Sequence, residues 1–325
     1  MTFTNLEQIK KSRYLPGPEV INIYKIFGTI TTRTPLHLGS GESGKAFGRK
    51  SKENEAEENC SLIFKDYRGI PCIPGSSLKG VIRTWLETHL MPFNFNQTYD
   101  VAMFAVDEID NDKNAFSEHV EKKKVEFKNK ANINSLLADF YSTNLDIISG
   151  IFGFQRYMGK LEIENSYIKN PETWNEINIF TMPGVAIDYI TGTAKEHSLF
   201  TYELVAPKVN FGLELTLKNV RLWELGMVFS VLDSFNNEYF PLKLGGLNGI
   251  GYGQINLNIE SICQLGDDDI KKAGGKILND FNSLNSNTNG LQNWKSLSIA
   301  DHNKFRLDCI SEFVQTINLL NGDSQ

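Results

Sequence analysis

The chain has 325 residues, of which 41% are hydrophobic and 22% charged, a composition that fits one large or two moderate globular domains. No apolar run approaches the ~18 residues of a membrane span, and the polar start from Met1 to Arg13 lacks the apolar core of a signal peptide. A cytoplasmic protein without a membrane partner is therefore expected. The net charge of −6 weighs mildly against indiscriminate nucleic-acid binding, but it is uneven: residues 1–52 carry nine Lys/Arg against three Asp/Glu, while residues 100–146 carry ten acids against six bases. A basic face confined to the N-terminal half can hold an anion even on an acidic protein.

In chain order, Val20 to Thr32 alternates apolar and polar residues with β-branched enrichment and predicts a strand. A glycine-rich loop is expected from Leu38 to Gly48, then a charged, apolar-poor loop from Lys50 to Asn59 and a short strand from Ser61 to Lys65. Ser76 to His89 reads as a helix capped by Ser76 or Ser77. Residues 92–146 show no strong strand pattern and read as a helical insertion. Strand pattern returns over Gly159 to Lys169. Thr173 to Leu199 is polar and loop-like around a Pro-Gly. Phe200–Val205 and Phe211–Val220 read as paired strands, Leu222–Phe235 as an amphipathic helix, and Gly253–Cys263 as a final strand. Two helices around the Ser/Asn-rich linker Asn282–Asn289 close the chain. The order predicts an α+β fold with helices on one sheet face, of which the split βαβ or ferredoxin-like arrangement is the natural small version. Cys60, Cys72, Cys263 and Cys309 form no C-x-x-C pair, so buried reduced thiols are expected and no metal site.

Three loops stand out chemically. In Ile73 to Arg83 a Pro-Gly turn leads into the hydroxyls of Ser76 and Ser77, with Gly80 next and Lys79 and Arg83 one helical turn apart. Unpaired N–H groups and the dipole at a helix start, with cations at i and i+4, suit a phosphate chain. Gly39 to Lys45 fits G-x-x-x-x-G-K, but Ala46 stands where a P-loop needs Ser or Thr for Mg²⁺, and Phe47-Gly48-Arg49-Lys50 is a poor helix start. Gly39, Ser40 and Gly41 are read instead as phosphate contacts, with His37 able to stack on a base. The run Leu244 to Gly253 places five glycines in nine residues (Gly245, Gly246, Gly249, Gly251, Gly253), with Tyr252 among them, which lets another backbone approach closely. Between these loops, Met182 to Ala194 reads as an exposed hairpin with apolar tip residues, among them Val185 and Ile187, with Asp188 and Thr191 beside them. An apolar wedge of this kind can enter between bases.

The motifs T-P-L-H-L-G-S-G, I-P-G-S-S-L-K-G-V-I-R, G-V-A-I-D-Y-I-T-G-T-A and L-G-G-L-N-G-I-G-Y-G-Q-I occur in that order. Together they resemble the RAMP superfamily of CRISPR effector proteins, above all the backbone subunits of type III and type III-derived complexes, over about residues 20–263. The resemblance implies an RRM-like palm with an insertion near 92–146 and a thumb near 173–199, followed by a C-terminal helical extension at 264–325. It implies stacking of copies along a guide RNA (crRNA), with His37–Gly41, Ser76–Arg83 and Gly245–Gly253 facing the guide and the thumb breaking the guide–target pairing into segments. Guide RNA, target RNA, further copies of the chain and other effector subunits, including a separate nuclease, are the implied partners. Subunits of this kind that cut RNA carry an aspartate in the loop before I-P-G-S-S. Here that position falls at Asn59, Cys60 or Ser61, none a carboxylate, with Glu57 and Glu58 close by. An inert backbone with no cofactor is therefore expected. Two alternatives are a metal-dependent endoribonuclease using Glu57 or Glu58 with Mg²⁺ and a guide-processing ribonuclease with His37 as base.

Overall fold

The structure is a computed structural model and describes residues 22–44, 60–90, 147–153, 158–174, 178–187, 189–265 and 299–322. The expected insertion at 92–146, the loop with Glu57, Glu58 and Asn59, residue Asp188 and the Ser/Asn-rich linker lie outside the described residues. Eight strands are described: β1 (Ile23–Thr32), β2 (Gly39–Gly44), β3 (Cys60–Ile63), β4 (Leu161–Ile163), β5 (Ile179–Ile187), β6 (Ala194–Val205), β7 (Asn210–Lys218) and β8 (Ile255–Leu265). The α-helices described are α1 (Gly75–Leu90), α2 (Ile147–Phe152), α3 (Leu222–Ser234) and α4 (His302–Gly322).

The first sheet has the order β4-β7-β1-β8 with every neighbour antiparallel. Read along the chain with its helices, this is β1-α1-β4-β7-α3-β8, the ferredoxin-like topology. Alternation decides which face is covered: Tyr24, Ile26 and Ile30 of β1 and Ile255, Leu257 and Ile259 of β8 are buried, while Asn256, Asn258 and Glu260 point to solvent. Leu78, Ile82, Leu86 and Leu90 put an i,i+4 stripe of α1 into the same core. Each such side chain contributes roughly 1.5–3 kcal/mol by leaving water.

Helix α3 is buried on nearly all sides, because α4 lies on its outer surface. At Gly226 the two helices approach so closely that a Cβ would sit 2.0 Å from the Cys309 carbonyl oxygen. Cys309, Phe313 and Ile317 of α4 join the common core, and Tyr24 stacks on Phe305 with ring centroids 5.9 Å apart. Lys160 and Glu224 form a buried pair at 2.6 Å, only 6% and 3% exposed, and the second Glu224 oxygen accepts the Arg221 N–H at the start of α3. All four cysteines are free and buried.

The second sheet has the order β2-β3-β6-β5. β5 and β6 form a long hairpin, and β6 pairs in parallel with β3 through Cys60↔Thr201 and Ser61↔Tyr202. This corrects the loop-like reading of 173–199. Pro183 is tolerated because β5 is an edge strand, and Gly184 leaves room for the Phe200 ring, which a Cβ there would meet at 2.1 Å and displace. It also corrects the pairing of 200–205 with 211–220. The chain turns at Lys208, whose φ is 67° and whose N–H donates to the Thr32 carbonyl, so β7 leaves β6 and joins β1 in the other sheet.

Gly39–Gly44, expected as loop, is a strand paired with β3. The strand expected over 159–169 is regular only at 161–163. Beyond it the chain makes single bridges, Ser166 to Ile73 and Ile168 to Phe211.

Candidate nucleic-acid interface

A groove of about 620 Å³ runs between the solvent face of α1 and the loop that leads from α3 to β8. On the helix side stand Ser76, Gly80, Thr84 and Thr88, four residues apart and exposed, with Ser77 and Val81 beside them. Leu242, Lys243, Gly245, Gly246 and Asn248 form the other side. His37, Leu38 and Gly39 lie at the base. Among the described residues no Asp or Glu lines the groove, although acids outnumber bases in the chain by 39 to 33. Beside the apolar Leu38, Val81 and Leu242 stand hydroxyls, glycines and Lys243, which offer donors and close approach without repelling an anion.

The base of the groove is held by His37, which is 7% exposed. Its Nδ1–H donates to the Glu203 carbonyl at 2.8 Å, its Nε2 lies 3.4 Å from the Ser61 hydroxyl, and its ring meets Tyr202 edge-on at 5.3 Å. The His37 carbonyl accepts the Gly246 N–H at 2.8 Å. Gly245, with φ 81°, is forced to be glycine here: a Cβ would lie 2.3 Å from the His37 carbonyl oxygen. The Glu203 side chain, fully buried, is paired with Lys65 at 2.7 Å and accepts the Ile63 N–H at 3.1 Å. His37 therefore ties β3, β6 and the glycine loop together. The sequence leaves His37 able to stack on a base; in the structure its ring is packed into the fold.

Lys79 and Arg83 do not line the groove. The Lys79 ammonium donates to the Leu161 carbonyl at 2.9 Å, and burial, then the Arg83 charge, pushes its pKa down. Arg83 pairs with Glu87 at 2.8 Å and reaches the Gly153 carbonyl at 3.4 Å. Both stand on the flank of α1 that meets β4 and the end of α2, so the i,i+4 spacing that suggested a phosphate clamp fastens the helix to its neighbours. The helix also starts one residue earlier than expected. Gly75 is its first residue, its N–H donates to the Asn165 side chain at 2.9 Å, and Ser76 and Ser77 lie within the first turn rather than capping it.

The remaining expected contacts divide. Ser40 donates to the Leu62 carbonyl at 3.2 Å within the β2–β3 pair, and Gly41 stands beside it in β2 with φ 82°. A strand here, in place of a phosphate loop opening a helix, removes the nucleotide-hydrolysing reading. Gly253 has a reason inside the fold, since its Cβ would lie 2.3 Å from the Leu244 carbonyl oxygen. Gly249 and Gly251 face open space, and Tyr252 is half-buried. In the hairpin, Val185 and Thr191 are exposed. Ile187 pairs through its backbone with Ala194, and the turn carries Tyr189 and Ile190, 100% and 89% exposed. Sequence reasoning missed Lys243, Thr84 and Thr88, and also a stacked pair, Trp85 and His89, at the far end of the groove. The i,i+4 spacing of the two rings was the available signal.

The ferredoxin-like sheet, the second sheet with its hairpin and the groove on the outer face of α1 define an α+β protein. The family model of the RAMP superfamily matches residues 29–256, most of the chain, and the chain belongs to that superfamily. Membership supports a CRISPR-associated, RNA-binding role. The match ends before α4. The comparison with curated proteins finds no match. Among the described residues no helix is long and apolar enough to cross a membrane, and no three His, Cys, Asp or Glu side chains gather as a metal site.

Proposed function

We propose that the chain is a guide-RNA-binding backbone subunit of a type III-like CRISPR effector complex. It lies in the cytoplasm, assembled with further copies of itself and with other effector subunits along the guide. The observation that carries this reading is the groove, in which residues of 37–39, 76–89 and 242–248 converge and whose lining among the described residues includes no carboxylate. Gly80 leaves room for a sugar–phosphate backbone, and the hydroxyls of Ser76, Ser77 and Thr84 with Lys243 supply donors. The β5–β6 hairpin acts as the thumb, its exposed Tyr189 and Ile190 entering the guide–target duplex. The chain does not itself cut RNA: where the resemblance calls for an aspartate, Cys60 is buried and Ser61 sits on β3 beside His37. A separate nuclease supplies the cleavage.

Purification of the complex from cells carrying its guide source is the direct test. Small RNA of regular length co-purifies, and complementary RNA added with Mg²⁺ stays whole. Cleavage that disappears in a Glu57→Ala/Glu58→Ala variant refutes the inert backbone, and a purified protein free of RNA refutes the guide-binding role.

A further inference from the structure

Helix α1 ends in an aromatic stack that neither the fold nor the groove's hydroxyls and glycines account for. Trp85 and His89 lie with ring centroids 3.9 Å apart and planes 15° from parallel, and both line the groove. The stack is fixed at each level. Trp85 is half-buried and packs on the hydrophobic core. His89 Nδ1 is 2.8 Å from the Trp85 carbonyl oxygen, which can only accept, so Nδ1 carries the proton and the ring cannot turn freely about its last torsion. His89 itself is exposed. One flat face of a two-ring stack is thus covered and anchored, while the outer ring stands in solvent at the groove's end, about 20 Å along the helix from Ser76.

We propose that His89, backed by Trp85, is a stacking platform for one unpaired nucleobase of the RNA strand in the groove. A pre-oriented planar ring gains most from a partner that is planar and already unstacked, as in single-stranded RNA, and such stacking tolerates any base. The groove would then distinguish single strands from duplexes: hydroxyls and glycines hold the backbone, and the stack takes a base that a duplex keeps inside. This assignment rests on the reading of the groove as the RNA path.

The test is the affinity of the full-length protein for a labelled single-stranded RNA, for an abasic oligomer of the same length, and for each across a salt series. His89→Ala, at an exposed position, lowers affinity for the base-bearing RNA about tenfold, leaves the abasic oligomer unaffected and leaves the salt slope unchanged. His89→Phe restores binding because it restores the plane. Three results overturn the proposal: unchanged affinity in His89→Ala, an equal loss with the abasic oligomer, or a salt slope reduced by about one with no rescue by Phe, which would make His89 a phosphate contact. Gly80→Glu separates this proposal from the reading beneath it. If Gly80→Glu weakens binding and His89→Ala does not, the stacking idea alone fails. If neither weakens binding, the groove is not the RNA path.

Discussion

Gly80 sits in the middle of a 16-residue helix, where glycine costs about 1 kcal/mol relative to alanine. Its own fold gives it no reason to be there, because a Cβ at this position meets nothing within 4 Å. Gly80→Ala therefore raises stability by about 0.5–1 kcal/mol, roughly 2 °C in melting temperature for a chain of this size. The gap is explained if something outside the chain passes close to the helix. Gly80→Glu keeps a good helix former but places a carboxylate in a groove whose lining has none among the described residues. Against a phosphate at about 4 Å, the repulsion runs from ~1 kcal/mol in water to ~4 kcal/mol at the effective dielectric of a protein surface. The open groove lies toward the lower end, so affinity for single-stranded RNA falls about 5- to 30-fold. Thermal denaturation and fluorescence anisotropy with a guide-length RNA at fixed salt read the two effects separately. A Gly80→Glu protein that folds and binds RNA as the parent does would remove the outer face of α1 from the RNA path. A Gly80→Ala protein that melts lower would show that the space around the helix is not open.

Lys79→Ala and Arg83→Ala each lower stability by about 1–2 kcal/mol, because each removes a tie from α1 to the Leu161 or Gly153 carbonyl. They leave the salt dependence of RNA binding unchanged, and a slope reduced by about one per substitution would return these cations to the phosphate path. Lys160→Met costs about 3–5 kcal/mol in urea unfolding by stranding the buried Glu224 charge, and adding Glu224→Gln recovers most of it. A single variant no less stable than the parent would refute the pairing. Burial, and then the neighbouring Cys309, raise the Tyr24 phenol from 10.0 to about 12. A phenol held protonated by the fold contributes stability that is complete below pH 10 and is lost as pH climbs through about 12. Tyr24→Phe accordingly shows a shallower fall in urea midpoint between pH 10 and 12, and identical profiles would refute the assignment.

The ferredoxin-like topology could be read from the sequence because its strands obey a period of two and its helices a period of 3.6. β1 and β8 alternate as their residues require, and α1 and α3 fall where the apolar stripes put them. The hairpin was harder to read: Pro183 and Gly184 are loop residues by type, and only the edge position of β5 and the Phe200 ring make them strand residues. The groove was visible as three unusual loops, but their division of labour was not. Spacing alone cannot tell a cation that faces a ligand from one that faces a carbonyl 82 residues away, as Lys79 does. Nor can it tell a glycine needed for its own chain's packing, as Gly245 is, from one that leaves space open, as Gly249 does.

His37 connects β3, β6 and the glycine loop, segments that lie 24, 166 and 209 positions from it along the chain, at Ser61, Glu203 and Gly246. Contacts of such sequence separation close late, after the loop entropy between them has been overcome. A ribosome adding residues one by one at 5–20 per second therefore releases the helix side of the groove well before the side that completes it. The nascent chain has no finished groove until Gly246 has emerged and reached the His37 carbonyl. On the proposed function, RNA capture waits in this way for Gly246 to be made, and a chain that stops short of it lacks one side of the groove.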